Sequence, residues 1–368
     1  MKSYLSKPLI GESRETLQTI LKTWEPYRIR QLFSWIYEKG SVDFETMTSL
    51  SKSLRQVLSE DFNLERPIVS KAQISSDGTQ KWLLKLHDAH EIETVHIPEV
   101  TRGTLCISSQ VGCTLTCKFC HTGTQTLVRN LEAGEILGQV FVARDVFGEW
   151  PSPIGKRHVS HLVFMGMGEP LYNYENVAEA LKILMDPQGL AFSRQKITLS
   201  TSGVVPKIEA CGRELGVRLA ISLHGVRDDV RDVLVPLNKK YPLKDLLEVV
   251  RAYPEISKTD YVTFEYVMLK NVNDSEKDAK ELARLIRGIP AKINLIPFNP
   301  WPGASYECSD LKTMEKFSEI LRHHGYPAPL RKTRGQDILA ACGQLKSESM
   351  RVSKSKMGGC SSKVASGV

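Results

Sequence analysis

The sequence has no apolar run approaching the ~18–20 residues that a membrane-spanning helix needs. Its start, Met1-Lys-Ser-Tyr-Leu-Ser-Lys-Pro8, lacks the apolar core of a secretory signal. No internal repeat is visible beyond an alternation of strand-like and helix-like segments. These absences point away from membrane, secreted and solenoid proteins, so a cytoplasmic chain with no membrane contact is expected. In that compartment eight cysteines read as metal ligands, catalytic thiols or small buried hydrophobes, not as disulfides. Hydrophobic residues make up 41% of the chain and mean hydropathy is −0.22, both ordinary for a soluble fold. The formal charge of +7 permits a polyanionic partner such as nucleic acid, but solubility alone accounts for it equally well.

With 368 residues the chain can bury a large core, and its patterning divides it into four parts. Residues 1–65 read as a small helical module, with Pro26 at a helix start and Ile29, Leu32, Phe33 and Ile36 at helical spacing. This module carries Lys22, Arg28, Arg30, Lys39, Lys52 and Arg55, which suit either RNA phosphates or a solvated helix face. Residues 66–102 change to period two, with strands expected over 67–73, 79–86 and 91–97 and a turn at Asp77-Gly78. In the last of these strands Glu93 shares a face with Val95 and Ile97. A carboxylate there either has a raised pKa and serves as a base, or reaches solvent from an edge. Residues 103–345 alternate strands (105–109, 161–164, 196–200, 218–222, 261–268, 292–296) with helices (133–146, 176–185, 207–215, 243–252, 275–287). The first helix is expected to be capped by Asn130. Six βα units imply a parallel sheet, open or closed as a partial barrel, with its chemistry at the carboxyl ends of the strands. Residues 346–368 are Ser/Lys/Gly-rich and are expected to form a mobile tail that includes Cys360.

The first strand is followed by Gly112-Cys113-Thr-Leu-Thr-Cys117-Lys-Phe-Cys120-His121. A C-x₃-C-x₂-C loop can hold three irons of a [4Fe–4S] cluster and leave the fourth open. Structural zinc takes four ligands, usually as two separated pairs, and incidental thiols remain the bland reading. Other strands end in small polar residues: Met165-Gly166-Met167-Gly168-Glu169-Pro170, Ser200-Thr201-Ser202-Gly203, Ser222-Leu223-His224 and Ile296-Pro297-Phe298-Asn299-Pro300. Each alone is ordinary turn chemistry. Together they outline one ligand rim, where glycine lets backbone approach and a glutamate can accept from an ammonium group.

Those stretches carry a specific resemblance. Cys106-Ile-Ser-Ser-Gln-Val-Gly-Cys113, Phe164-Met-Gly-Met-Gly-Glu-Pro170, Leu199-Ser-Thr-Ser-Gly203, Ser222-Leu-His224, Asn294-Leu-Ile-Pro-Phe-Asn-Pro300 and Arg334-Gly-Gln-Asp-Ile-Leu-Ala-Ala-Cys342-Gly-Gln resemble the RlmN/Cfr family of radical S-adenosylmethionine (SAM) RNA adenine methyltransferases. The resemblance runs over residues 20–346. It implies an α/β fold, a partial (β/α)₆ radical-SAM barrel with a small N-terminal helical domain and a β extension. It implies one [4Fe–4S] cluster per chain on Cys113, Cys117 and Cys120, with SAM contacting Gly168, Glu169, Ser200, Ser222, Leu223, His224 and Asn299. It further implies that Cys342 becomes an S-methylcysteine, that Glu93 accepts the adenine C2 proton, and that Cys106 resolves the adduct through a transient disulfide with Cys342. The partners it implies are 23S rRNA, tRNA and an electron donor such as flavodoxin, with the chain acting as a monomer.

Read bare, Cys106 and Cys342 would be buried structural thiols. Arg331, Lys332 and Arg334, with Arg227, Arg231, Lys239 and Lys240, suit either RNA phosphates or solvated charge. Two rivals stand beside the C2 reading: a Cfr-type enzyme acting on adenine C8, and a non-catalytic metal-dependent RNA-binding protein. Gly168-Glu169-Pro170 together with the N-terminal module favours C2.

Overall fold

The computed structural model describes residues 6–349 except 152–154 and 156; the tail over 350–368, with Cys360, lies outside the described residues. The N-terminal module consists of α1 (Arg14–Ile20), α2 (Pro26–Tyr37) and α3 (Lys52–Asp61). Ser13 and Ser51 accept from the N–H groups of Thr16 and Leu54, satisfying donors that a helix start leaves free. Ile29, Leu32, Phe33 and Ile36 are buried as their spacing predicts. The module docks tightly on the barrel at Gly11, whose φ is +107° and where a Cβ would sit 2.4 Å from the Gly134 nitrogen.

Beside two short two-stranded pairs, Lys7–Pro8 with Phe62–Asn63 and Gln110–Val111 with Arg129–Asn130, nine strands form one sheet. In chain order they are β1 (Ile68–Ile74), β2 (Gln80–Lys85), β3 (Glu91–Pro98), β4 (Gly103–Cys106), β5 (His161–Phe164), β6 (Ile197–Thr201), β7 (Arg218–Ser222), β8 (Val262–Met268) and β9 (Ala291–Pro297). Spatial order follows chain order throughout. β1 to β4 pair antiparallel as hairpins, and β4 to β9 pair parallel.

Parallel neighbours need helical crossovers, and right-handed ones in sequential order stack the helices on one face. The helices are α4 (Ala133–Val146), α5 (Tyr174–Met185), α6 (Val205–Glu214), α7 (Asp228–Leu234), α8 (Leu243–Ser257), α9 (Glu276–Leu285) and α10 (Leu311–His323). Leu105, Leu162, Leu199 and Leu219 point to the helices and are fully buried. Their neighbours His161, Val163, Thr198 and Arg218 point the other way and are only half-buried. The curled sheet thus keeps a partly open inner face, as the expected partial barrel does.

Two local expectations change. α4 is capped at Glu132, whose N–H donates to the Glu135 carboxylate at 2.9 Å. Asn130 instead accepts from Gln110 Nε2 at 2.8 Å, because it lies in a short strand paired with Gln110–Val111. Residues 346–349 are also tied to the body rather than loose. Gln125 Nε2 donates to Ser347 Oγ at 3.0 Å, and Glu91 N–H donates to Ser349 Oγ at 2.7 Å.

Candidate active site

The carboxyl ends of the parallel strands open into a cleft of roughly 940 Å³ of empty space, its solvent mouth included. Its walls include Cys113, Cys117, Cys120, Gly168, Glu169, Ser200, Ser222, His224, Asn299 and Cys342. Sequence positions far apart meet here because each follows a different strand.

The three loop thiols line one wall. Burial raises all three, and mutual repulsion of the thiolates adds to the rise at Cys113 and Cys117. Cys113 is pushed up to about 12, chiefly by burial. A buried trio of this kind is held deprotonated only by cationic charge, which a metal group supplies. Donors aimed at the sulfurs fit that state: Leu115 N–H lies 3.3 Å from Cys113 Sγ, and Gly123 and Thr122 donate to Cys120. Among the described residues no three His, Cys, Asp or Glu side chains converge on a single metal ion. Three thiols on one loop suit a cluster that takes three of its corners from the protein and leaves the fourth open.

Opposite, the backbone is shaped for close approach. Gly168 has φ +101°, and a Cβ there would meet Gln110 atoms at 2.6–2.8 Å. Gln110 is fully buried; its Oε1 accepts from Glu169 N–H at 3.0 Å and Thr114 N–H at 3.1 Å, clamping this loop to the cysteine loop. Glu169 accepts from Leu171 N–H at 3.1 Å and Ser202 N–H at 2.8 Å. Burial nevertheless lifts its carboxyl to about 7. His224 Nδ1 accepts from Val267 N–H at 3.0 Å, so the neutral ring carries its proton on Nε2. Burial and the Arg231 charge drop its pKa to about 3. Its ring meets Phe119 edge-on at 4.4 Å.

Cys342 rides on a strap over residues 335–349. The Ser75 hydroxyl donates to Asp337 at 2.5 Å and Lys81 Nζ to the Leu339 carbonyl at 3.1 Å. Farther along, the His121 N–H donates to Gly343 O at 2.7 Å and Gln344 Nε2 to Pro300 O at 2.7 Å. Asn299 Nδ2 holds the Cys342 carbonyl at 3.3 Å. The Cys342 residue is exposed on the cavity wall, whereas Cys106 is buried behind it on β4. The surrounding protein pushes the Cys342 thiol up to about 11. Burial raises the Cys106 thiol, and the Cys342 charge is the next cause.

Residues 107–283 match the Radical SAM superfamily, and residues 8–64 match the ribosomal RNA large subunit methyltransferase N-terminal domain. A protein of Rhodospirillum rubrum named dual-specificity RNA methyltransferase RlmN is 57% identical over 93% of this chain and 81% of its own length. Its namesake in Rhodopseudomonas palustris is 60% identical over 89% of this chain and 84% of its own. This chain belongs to the RlmN family of radical SAM methyltransferases. The crystal structure of a radical SAM methyltransferase from Sphaerobacter thermophilus superposes with a TM-score of 0.86 at 42% identity, covering 92% of this chain and 99% of that one.

Within that family fold, three sequence expectations change. Leu223 does not line the cleft: its side chain is fully buried, and only its backbone serves the site, its carbonyl accepting from Arg231 Nε at 2.9 Å. Arg231 is not a phosphate-binding surface residue. It is fully buried and gathers the rim from beneath, donating to the Ser202 carbonyl at 2.6 Å, the Ser222 carbonyl at 3.3 Å and Asn238 Oδ1 at 2.7 Å. Its position four residues before Val235 in a polar run gave no signal of this, since an arginine's partners are carbonyls from other strands. Glu93 neither reaches solvent nor lines the cleft. Lys81 Nζ lies 2.8 Å from Oε1, and Lys346 N–H donates to Oε2 at 2.8 Å. Burial still raises the Glu93 carboxyl, with Lys81 opposing. Lys81 escaped the sequence reading, although the two-residue periodicity of β2 against β3 could have paired it.

Proposed function

We propose that this chain methylates C2 of an adenine in 23S rRNA, and C2 of an anticodon-loop adenine in some tRNAs, through a methylated cysteine and two molecules of SAM. The observation that carries the reading is Cys342 on the same cleft wall as the three-thiol loop, with Cys106 at the end of β4 within reach of its charge. A radical SAM protein that only generated a radical would have no use for a further thiol in its cleft and another within reach of it.

Cys113, Cys117 and Cys120 would hold one [4Fe–4S] cluster, which with SAM supplies a radical able to take hydrogen from a methyl group. Gly168, Glu169, Ser200, Ser222, His224 and Asn299 would bind SAM along the rim, with the Leu223 backbone behind them. His224 stays neutral across physiological pH and offers Nε2–H as a donor. Adenine C2 is electrophilic and does not attack a sulfonium methyl, so Cys342 would receive the methyl group first and present it to the base. Once a hydrogen atom has been taken from that S-methyl group, its carbon would bond to C2. The adduct would give one electron back to the redox group on the cysteine loop, and its C2 proton to Glu93, which Lys81 and the Lys346 N–H hold ionised until the strap moves aside. Cys106 would then attack the sulfur of Cys342; the carbon keeps the bonding pair and takes up a proton, leaving methyladenine and a Cys106–Cys342 disulfide. An external donor such as flavodoxin would restore the thiols. The chain would work as a monomer in the cytoplasm, and no described helix is long and apolar enough to cross a membrane.

Anaerobic reconstitution with iron and sulfide, then incubation with SAM, reductant and each RNA, tests this by nucleoside mass spectrometry. We expect 2-methyladenosine and 5′-deoxyadenosine. Product methylated at C8, or none, would sink the reading.

A further inference from the structure

The inner face of β4–β9 continues beyond the cleft toward the strand starts. Stepping back by twos from Ser222 on β7 reaches Ala220 and Arg218, and stepping back from Asn294 on β9 reaches Lys292. The registers Thr198↔Arg218, Ala220↔Thr263 and Thr263↔Lys292 place both cations on the face that carries Ser200, Ser222 and Glu265 at its other end. Two strand spacings, about 10 Å, separate β7 from β9. Arg102 enters this face just before β4. Arg331 enters beside β9, its N–H donating to the Leu295 carbonyl at 2.8 Å.

These side chains feel one another. Burial holds Lys292 below its ordinary range, and Arg331, Arg102 and Arg218 add to this against the pull of Glu265. Burial, Arg102, Lys196 and Arg218 act on His161 in the same direction. Arg102 is balanced by a two-pronged bond to Glu99 at 2.7 and 3.0 Å. Among the described residues Lys196, Arg218, Lys292 and Arg331 form no close ion pair, though Glu265 feels Arg331 and Lys292, Glu99 feels Arg331, and Arg218 lies over the Tyr261 ring at 5.5 Å. Other candidate cations are already engaged: Arg227 with Asp278, Arg334 with Asp77 at 3.8 Å, and Arg231 with buried carbonyls. Arg218 and Lys292 are half-buried and Arg331 and Lys196 exposed, and like charges gathered on one concave face attract a polyanion. The lane begins at Arg331, whose charge reaches both Glu265 and Cys342 in the cleft.

We propose that this lane seats the backbone phosphates of the RNA strand flanking the target adenine, with Arg331, Lys292 and Arg218 as the phosphate-binding residues. It rests on the RNA-methyltransferase reading above. A strand held along the inner face can turn its unstacked base into the cleft against the Cys342 strap, which gives the enzyme reach to a carbon hidden inside a helix.

The test is binding of a fluorescein-labelled hairpin RNA, followed by anisotropy across a salt series. Each lost contact to a single strand removes about 0.7 from the slope of log affinity against log salt. Arg218→Gln with Lys292→Gln is expected to flatten the slope by about 1.4 and to weaken binding at least tenfold at low salt. Arg218→Lys with Lys292→Arg keeps the charges and should retain the slope. Lys312→Gln, an exposed cation on α10, is the control and should bind as the parent does. If the double variant melts early, each single glutamine variant should still flatten the slope by about 0.7. A wild-type slope and affinity in the glutamine variants would overturn the lane while leaving the activity intact. A parent chain that makes no methyladenosine would instead overturn the function proposed above.

Discussion

Replacing Lys81 by methionine keeps the side chain's length and removes the cation paired with Glu93. Both side chains are 8% exposed and 2.8 Å apart, so the remaining carboxylate would be buried with only the weaker pull of Lys71. Breaking a buried pair on one side costs about 3–5 kcal/mol. At roughly 2.1 cal/mol/K per residue, the unfolding entropy of a 368-residue chain makes each kcal/mol worth about 1.3 °C. The expected drop in melting temperature at neutral pH is therefore ~4–6 °C.

The sign of the pH dependence follows from the carboxyl. Its folded pKa is already raised by burial, and losing Lys81 raises it further. A group with a raised folded pKa binds its proton more tightly in the folded state. The variant's deficit should therefore grow as pH rises from the ordinary glutamate range through the raised value. Below the ordinary range both states are protonated and the deficit should shrink. Adding Glu93→Gln removes the stranded charge and should recover most of the loss. Calorimetry between acid and neutral pH reads all of this. A melting temperature within about 1 °C of the parent at neutral pH, or a deficit that persists at acid pH, would refute the buried-pair argument.

Three other outcomes follow from the site. Gly168→Ala puts a side chain at a positive φ and against the Gln110 side chain and backbone nitrogen, so SAM binding by calorimetry should fall at least tenfold, with a stability loss of about 1–3 kcal/mol. Arg231→Met leaves the Ser202, Ser222 and Leu223 carbonyls without their buried donor; denaturant unfolding should show a loss of about 3–5 kcal/mol. Cys106→Ala should leave RNA covalently attached to Cys342, seen as a shifted band on a denaturing gel, and free methylated product at the parent rate would remove Cys106 from the resolving step.

The strand–helix alternation, the three-thiol loop and the rim motifs were legible in the sequence because each is local. Period, turn residues and short spacing fix them within a few positions of one another. The same locality let the helices of the N-terminal module be read from Pro26 and the Ile29, Leu32, Phe33, Ile36 spacing. What depends on pairing between distant strands could not be read that way. Glu93 looked like a lone carboxylate until β2 laid Lys81 beside it and the strap brought Lys346 over it. Arg231 looked like a surface cation until three carbonyls from two other loops closed on it. Leu223 sat inside a rim motif, yet the turn at His224, with φ +56°, sends its side chain into the core. Cys106 feels the charge of Cys342, more than 200 positions away, only because the fold brings the strap near the end of β4. Charges and thiols act over a few ångströms in space, and sequence spacing carries that information only within a single element.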